Sequence, residues 1–368
     1  MKKAAIMTWF HYHNYGTALQ VTALYNVISS FGYDVDVIRY LPNVKAMSRP
    51  MLHRIAHAAV KRIIRSKNRR FKDIGRDQKF CEFIDNQLTF TNGCITQDDF
   101  ESLNGQYDYF VCGSDQIWAP TIFDSHYFLD FVTDDSKKIA YAPSIGLSVI
   151  ENKNVEERMK NLISSFSYLS VREKQGAAII RNLCSENARV VLDPTLLLAC
   201  EQWQRIIPTV ATKENYILCY FLGTNDNARK HVVAISAKLK LPVKILPVFT
   251  KDSKYGELVK GVGPMEFLSL IQNAAFVCTD SYHGAVFSII NQKPFYVFER
   301  FHGNDKQSQN SRVYNLLETT HLEDRLVRFG EPVEKNYAFS YDCFVVEQFL
   351  NMERESSINF LKEALDHE

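Results

Sequence analysis

The chain has 368 residues, 46% of them hydrophobic and 23% charged, with 25 Phe and 18 Tyr. That is the composition of a soluble globular protein, it argues against disorder, and the length leaves room for two domains with a core each. A net charge of +1 gives no overall pull towards nucleic acid, and no nucleic-acid partner is expected.

The N-terminal stretch MKKAAIMTWFHYHNYG is apolar only briefly. It is too short for a signal peptide or a membrane span, which predicts a cytoplasmic protein. From there short apolar runs alternate with helix-period stretches. KAAIMTW reads as a strand, TALQVTALYNVISSFG as a helix ending at Gly32, and YDVDVIRY as the next strand. Further strands are expected at 107–113, 137–144, 168–173 and 188–193, with helices between most of them. The rhythm restarts with YILCYFLG (216–223), the helix NARKHVVAISAKLK, PVKILPVF (242–249), the helix GPMEFLSLIQNA and the strand AFVCTD. The helix GAVFSIINQ and the strand PFYVFE complete this second half. Such alternation implies an α/β protein with mainly parallel sheets covered on both faces. It predicts two Rossmann-like domains facing each other across a cleft, 1–200 and 201–334, with a terminal helix in 335–368 packing back across the junction.

One insertion, 50–75, departs from this pattern. Residues 54–72, RIAHAAVKRIIRSKNRRFK, carry eight Lys or Arg and no acid. The stretch reads as a basic amphipathic helix, either docked on the first domain or lying on an anionic membrane at its inner face. The eight cysteines are scattered without a C-x-x-C pair, and Cys112, Cys219 and Cys278 sit in apolar runs as reduced, structural thiols. His11 and His13 form an H-x-H with no acid or cysteine nearby in sequence, so no metal is expected.

In open parallel sheets, ligands bind beyond the carboxyl ends of the strands. Polar residues at those positions are Asn14 and Gly16 after the first strand, and Ser114 and Asp115 in GSDQIW. Arg172 and Glu173 follow YLSV, and Asp280, Ser281, Tyr282 and His283 follow AFVCT. Lys306 and Arg312 come after PFYVFE. Each has a structural reading as well: Gly113–Asp115 as a turn and N-cap, Arg172 as an ion-pair partner, His283 as a turn histidine. Together they describe a polar cleft between two domains.

The motifs NYGTALQ, GSDQIW, SVREKQG, LDPTLLL and DSYHGAVFSI occur in the order found in polysaccharide pyruvyl transferases, and the chain resembles that family over roughly 4–317. The resemblance implies a two-domain fold like that of GT-B glycosyltransferases. It also implies transfer of a pyruvyl group from phosphoenolpyruvate to sugar hydroxyls of a surface polysaccharide or lipid-linked precursor, giving a pyruvate ketal, with no further cofactor. It assigns Arg172 to a donor anion and His283 to the R-x-H-G histidine. Ser281 stands where the family has arginine, which would move that charge to Lys306 or Arg312. An enol phosphate becomes electrophilic once its methylene carbon is protonated, and a histidine such as His283 suits that acid role. Asp115 or Asp280 would accept a hydrogen bond from the acceptor sugar or orient His283. Two other functions fit the same fold. One is a GT-B glycosyltransferase using a nucleotide sugar, for which Glu299 is the candidate ribose-binding carboxylate. The other is a non-catalytic glycan-binding protein.

Overall fold

The computed structural model describes residues 1–42, 69–94, 96–147, 149–210, 214–302, 305, 308–333 and 336–367. The positions 54–68 of the basic stretch lie outside them, as does Lys306.

Two six-stranded parallel sheets face each other in the GT-B-like arrangement. The first has the order β2 (Asp34–Val37), β1 (Lys3–Met7), β3 (Tyr109–Cys112), β4 (Lys138–Ala140), β5 (Tyr168–Val171), β6 (Arg189–Val190). The second has the order β12 (Leu326–Val327), β11 (Phe295–Phe298), β10 (Phe276–Thr279), β7 (Ile217–Tyr220), β8 (Val243–Leu246), β9 (Glu257–Leu258). Strands β3, β7, β10 and β11 are buried at every residue, because helices cover both faces; hence their continuous apolar sequence. The two-residue strands β9 and β12 were not expected, since two residues carry no periodicity.

Each sheet reverses its strand order once, between β1 and β3 and between β7 and β10. The segments leaving these four strands include α1 (Tyr15–Ser30) and α10 (Tyr282–Ile290), whose N-termini both open towards the space between the sheets. The other helices are α2 (Ile74–Gln87), α3 (Gln97–Glu101), α4 (Lys153–Ile163), α5 (Lys174–Cys184), α6 (Pro194–Leu197), α7 (Cys200–Ile206), α8 (Asp226–Leu239), α9 (Pro264–Asn273), α11 (Ser311–Thr320) and α12 (Cys343–Asp366).

The inner faces share one continuous core that runs from Leu19 and Leu24 through Trp203, Phe267 and Phe287 to Leu361. At its centre Tyr15 stacks on Phe267, ring centroids 4.2 Å apart, and its hydroxyl donates to the Val262 carbonyl at 2.9 Å. Residues 69–72, the described end of the basic stretch, are extended rather than helical. The Phe71 amide donates to the Val248 carbonyl, and the Thr250 amide to the Arg69 carbonyl, each at 2.9 Å. No helix among the described residues is long and apolar enough to cross a membrane.

Helix α12 packs beside α11 of the second half and α6 of the junction, then runs over the first. Arg354 Nε donates to the Leu196 carbonyl at 2.7 Å, and Tyr33 donates its hydroxyl to the Leu365 carbonyl at 2.6 Å. The helix's own Leu350, Leu361, Ala364 and Leu365 are fully buried. Leu361→Ala is expected to lower unfolding stability by about 2–5 kcal/mol, the usual cost of a cavity at a buried leucine. Denaturant titration by circular dichroism measures it, and a loss near zero would mean that the helix is not part of the folded core.

Candidate active site

The cleft encloses about 440 Å³ and is lined from the first half by Trp9, Tyr12, His13, Asn14, Thr17, Arg76 and Asp115. From the second half come Tyr220, Leu222, Ser281, Tyr282, His283, Arg300 and Arg312. The residues following all four strands at the order reversals are therefore in it.

Asn14 caps α1, its Oδ1 accepting from the Gly16 amide at 2.9 Å and the Thr17 amide at 3.4 Å. Gly16 has a separate reason to lack a side chain. A Cβ there would fall against Nδ1 of His283, well inside contact distance. The first half is thus hollowed at this residue to admit an imidazole from the second.

His283 sits in the first turn of α10, which Ser281 caps by accepting from the Gly284 amide at 3.3 Å. Its Nε2 turns to Asp193, 3.5 Å from Oδ2, while Nδ1 lies beside Gly16. Asp193, from LDPTLLL, was not singled out as a site residue, yet everything meets on it. Its Oδ2 also accepts from Arg172 Nη1 at 2.6 Å, and its Oδ1 from the Thr195 amide at 3.0 Å and hydroxyl at 2.6 Å. Burial by itself pushes this carboxyl up, but the charges of His283 and Arg172 and the hydrogen bonds of Arg172 and Thr195 prevail and hold it well below the usual carboxylate range.

Arg172 is not on the cleft surface. It is buried behind the wall, its guanidinium carbon 4.7 Å from the centre of the Tyr282 ring and its Nη1 committed to Asp193. Ser114 is also fully buried; its amide donates to Gln20 Oε1 at 3.0 Å and its hydroxyl to the Ala142 carbonyl at 2.7 Å. Asp115 does reach the cleft, with Oδ2 accepting from the Thr17 hydroxyl at 2.7 Å. The Asp280 carboxylate is spoken for: it accepts from the Leu222 amide at 2.6 Å and the Gly223 amide at 2.7 Å, fixing the loop after β7. It does not orient His283. Glu173 likewise holds the loop after β4, accepting from Ser144 Oγ and the Ile145 amide.

Positive charge lines both sides of the cleft, Arg70 and Arg76 from the first half and Arg300 and Arg312 from the second. Arg312 lines the cleft, and burial first, then the charges of Arg172 and Arg300, bring its guanidinium down to about 10, still protonated at neutral pH. Like charges so close lower one another's affinity for a proton and together raise the site's affinity for an anion. Nε and Nη2 of Arg172, Nε of Arg300 and Nε of Arg312 are buried with no hydrogen-bond partner among the described residues. Arg300 and Arg76 were also missed in the sequence; Arg300 opens the loop after β11, and only that position hinted at it. Among the described residues no group of His, Cys, Asp or Glu could hold a metal ion.

The solved structures similar to this chain include the UDP-GlcNAc 2-epimerase from Neisseria meningitidis bound to UDP-GlcNAc, 10% identical with a TM-score of 0.54 over 99% of both chains. The UDP-GlcNAc 2-epimerase from Methanocaldococcus jannaschii is 14% identical, with a TM-score of 0.51 over 96% of this chain and 99% of its own. At such identities the likeness is one of fold. No curated protein matches the chain. The family model described as polysaccharide pyruvyl transferase matches residues 14–302, a span that holds the capped N-termini of α1 and α10, Asp193 and His283. By that match, over most of its length, the chain belongs to the polysaccharide pyruvyl transferase family.

Proposed function

We propose that the protein transfers a pyruvyl group from phosphoenolpyruvate to two hydroxyls of a sugar in a glycan or lipid-linked precursor. The observation that carries this reading is the pair of guanidiniums on the cleft wall with His283, Arg300 and Arg312, each with a buried Nε–H that has no hydrogen-bond partner among the described residues. A donor bearing a phosphate and a carboxylate supplies what they lack, and the N-terminus of α10 adds to the same field.

In this reading Arg312 and Arg300 bind the donor's anionic groups from the cleft wall, in place of the arginine that Ser281 replaces. His283 delivers a proton from Nδ1 to the donor's methylene carbon, and Asp193 balances the ring's charge from the Nε2 side. The first sugar hydroxyl then attacks the electrophilic carbon. Its proton restores His283; the second hydroxyl then displaces phosphate, which leaves carrying that hydroxyl's proton, and the ketal closes. Arg172 is a positioning residue here, holding Asp193 and Tyr282 rather than touching the donor. Asp115 faces the acceptor hydroxyls from the first half.

The nucleotide-sugar alternative rested on Glu299. That carboxylate is buried, accepting from the Tyr314 hydroxyl on one oxygen and the Phe329 amide at 2.8 Å on the other. It is not free to hold a ribose in this arrangement.

Two measurements test the proposal. Isothermal titration should show phosphoenolpyruvate binding that Arg312→Gln weakens roughly ten- to a hundred-fold, the loss of one charge-assisted hydrogen bond. Binding of a UDP-sugar with no binding of phosphoenolpyruvate would overturn the donor assignment.

Phosphate release from phosphoenolpyruvate in the presence of an active acceptor glycan tests the acid. His283→Asn should slow turnover by about 10²–10⁴ with little change in the donor KM. Gly16→Ala should produce a comparable loss in a folded protein, because it displaces the ring without altering its chemistry. Near-normal turnover in both variants would place the proton donor elsewhere.

A further inference from the structure

The loop after β1 carries a second chemical feature, on the rim of the cleft rather than in its floor. His13 had no acid or cysteine near it in sequence, but the fold brings both from α2. His13 Nδ1 lies 2.8 Å from Asp77 Oδ1, and Cys81 Sγ lies 3.8 Å from His13 Nε2. Asp77 and Cys81 are one turn apart, at i and i+4, and so share a helix face. The imidazole is held in place: its ring stacks on Phe80 with centroids 5.7 Å apart, and the His13 carbonyl accepts from Arg76 Nη2 at 2.6 Å.

The acid and the thiol address opposite nitrogens of one ring. Metal ligands would have to converge on a point; these three groups are in series. A carboxylate on Nδ1 fixes the proton there and leaves Nε2 with its lone pair towards the sulfur. That is the order of a nucleophile, its base and the group that orients the base. All eight cysteines lie among the described residues; Cys81 is exposed, Cys184, Cys200 and Cys343 are partly buried, and Cys94, Cys112, Cys219 and Cys278 are buried.

We propose that Cys81, His13 and Asp77 form a nucleophilic thiol site that takes small disulfides by exchange, independently of the reaction in the cleft. The Cys81 sulfur attacks one sulfur of the disulfide and gives its proton to His13 Nε2. A new S–S bond forms to Cys81 as the old one breaks. The departing thiolate recovers the proton from the imidazolium and leaves as a thiol. One disulfide is consumed, and one mixed disulfide and one thiol result, with no other oxidant.

The test is the reaction of the full-length native protein with 4,4′-dithiodipyridine, followed by thiopyridone absorbance and by peptide mapping of the modified cysteine. One fast equivalent is expected, mapped to Cys81 and absent in Cys81→Ser. His13→Ala should slow it about tenfold or more, the lower range of general-base assistance suited to a half-exposed ring. Asp77→Asn should slow it less. All three side chains are on the surface, and circular dichroism confirms that each variant is folded. A fast equivalent on another cysteine would overturn the proposal, as would equal Cys81 rates in the wild type and His13→Ala.

Discussion

A carboxylate with no exposure to water, Asp193, is the constraint on which the site depends. An ionised carboxylate so buried is costly unless charged and hydrogen-bonded partners surround it. Here the partners come from separate parts of the chain: Thr195 from its own turn, Arg172 from the end of β5, and His283 from the second half. A buried carboxylate of the first half is therefore met by an imidazole of the second. Gly16 provides the space in which that completion occurs, so sterics and electrostatics act on the same imidazole.

The same logic explains how the cleft keeps an anion-binding character without an arginine at 281. Serine there caps α10 and leaves the helix N-terminus facing the cleft. The positive charge comes instead from Arg300, at the end of β11, and Arg312, in the first turn of α11. A guanidinium reaches far from its Cα, so a field can be rebuilt from neighbouring loops provided they open on the same wall. Asp280 lies in that wall too: its oxygens accept from the amides of Leu222 and Gly223, which holds the loop in place, and its Oδ2 lies 3.8 Å from Arg300 Nε, offsetting part of that arginine's charge.

Both features sit where the strand order of each sheet reverses. At such points adjacent strands send their following segments in opposite directions, and the gap between them opens at the carboxyl ends. The halves are joined there by a shared apolar core, by Tyr15 on Phe267 and by α12, so the two gaps meet as one cleft.

The strands and helices were legible in the sequence because their signals are local. A parallel strand covered on both faces must be apolar throughout, and a helix must repeat its apolar side every three or four residues. Polar clusters at the strand ends marked Asn14, Gly16, Asp115, Ser281 and His283 as neighbours of a cleft for the same reason. The meetings between distant residues were not legible. Asp193 looks like a helix cap in LDPTLLL, and it is that, but its second role depends on Arg172 and on His283, ninety residues later. Arg172 looked like a surface ligand for an anion and is instead buried with Asp193; Asp280 looked available and is not. His13 seemed to have no companion until α2 folded against it with Asp77 and Cys81. Burial pattern is written into each segment by its own composition. Which charged groups face one another is set by sheet order and by the packing of one half on the other, and only the tertiary structure decides that.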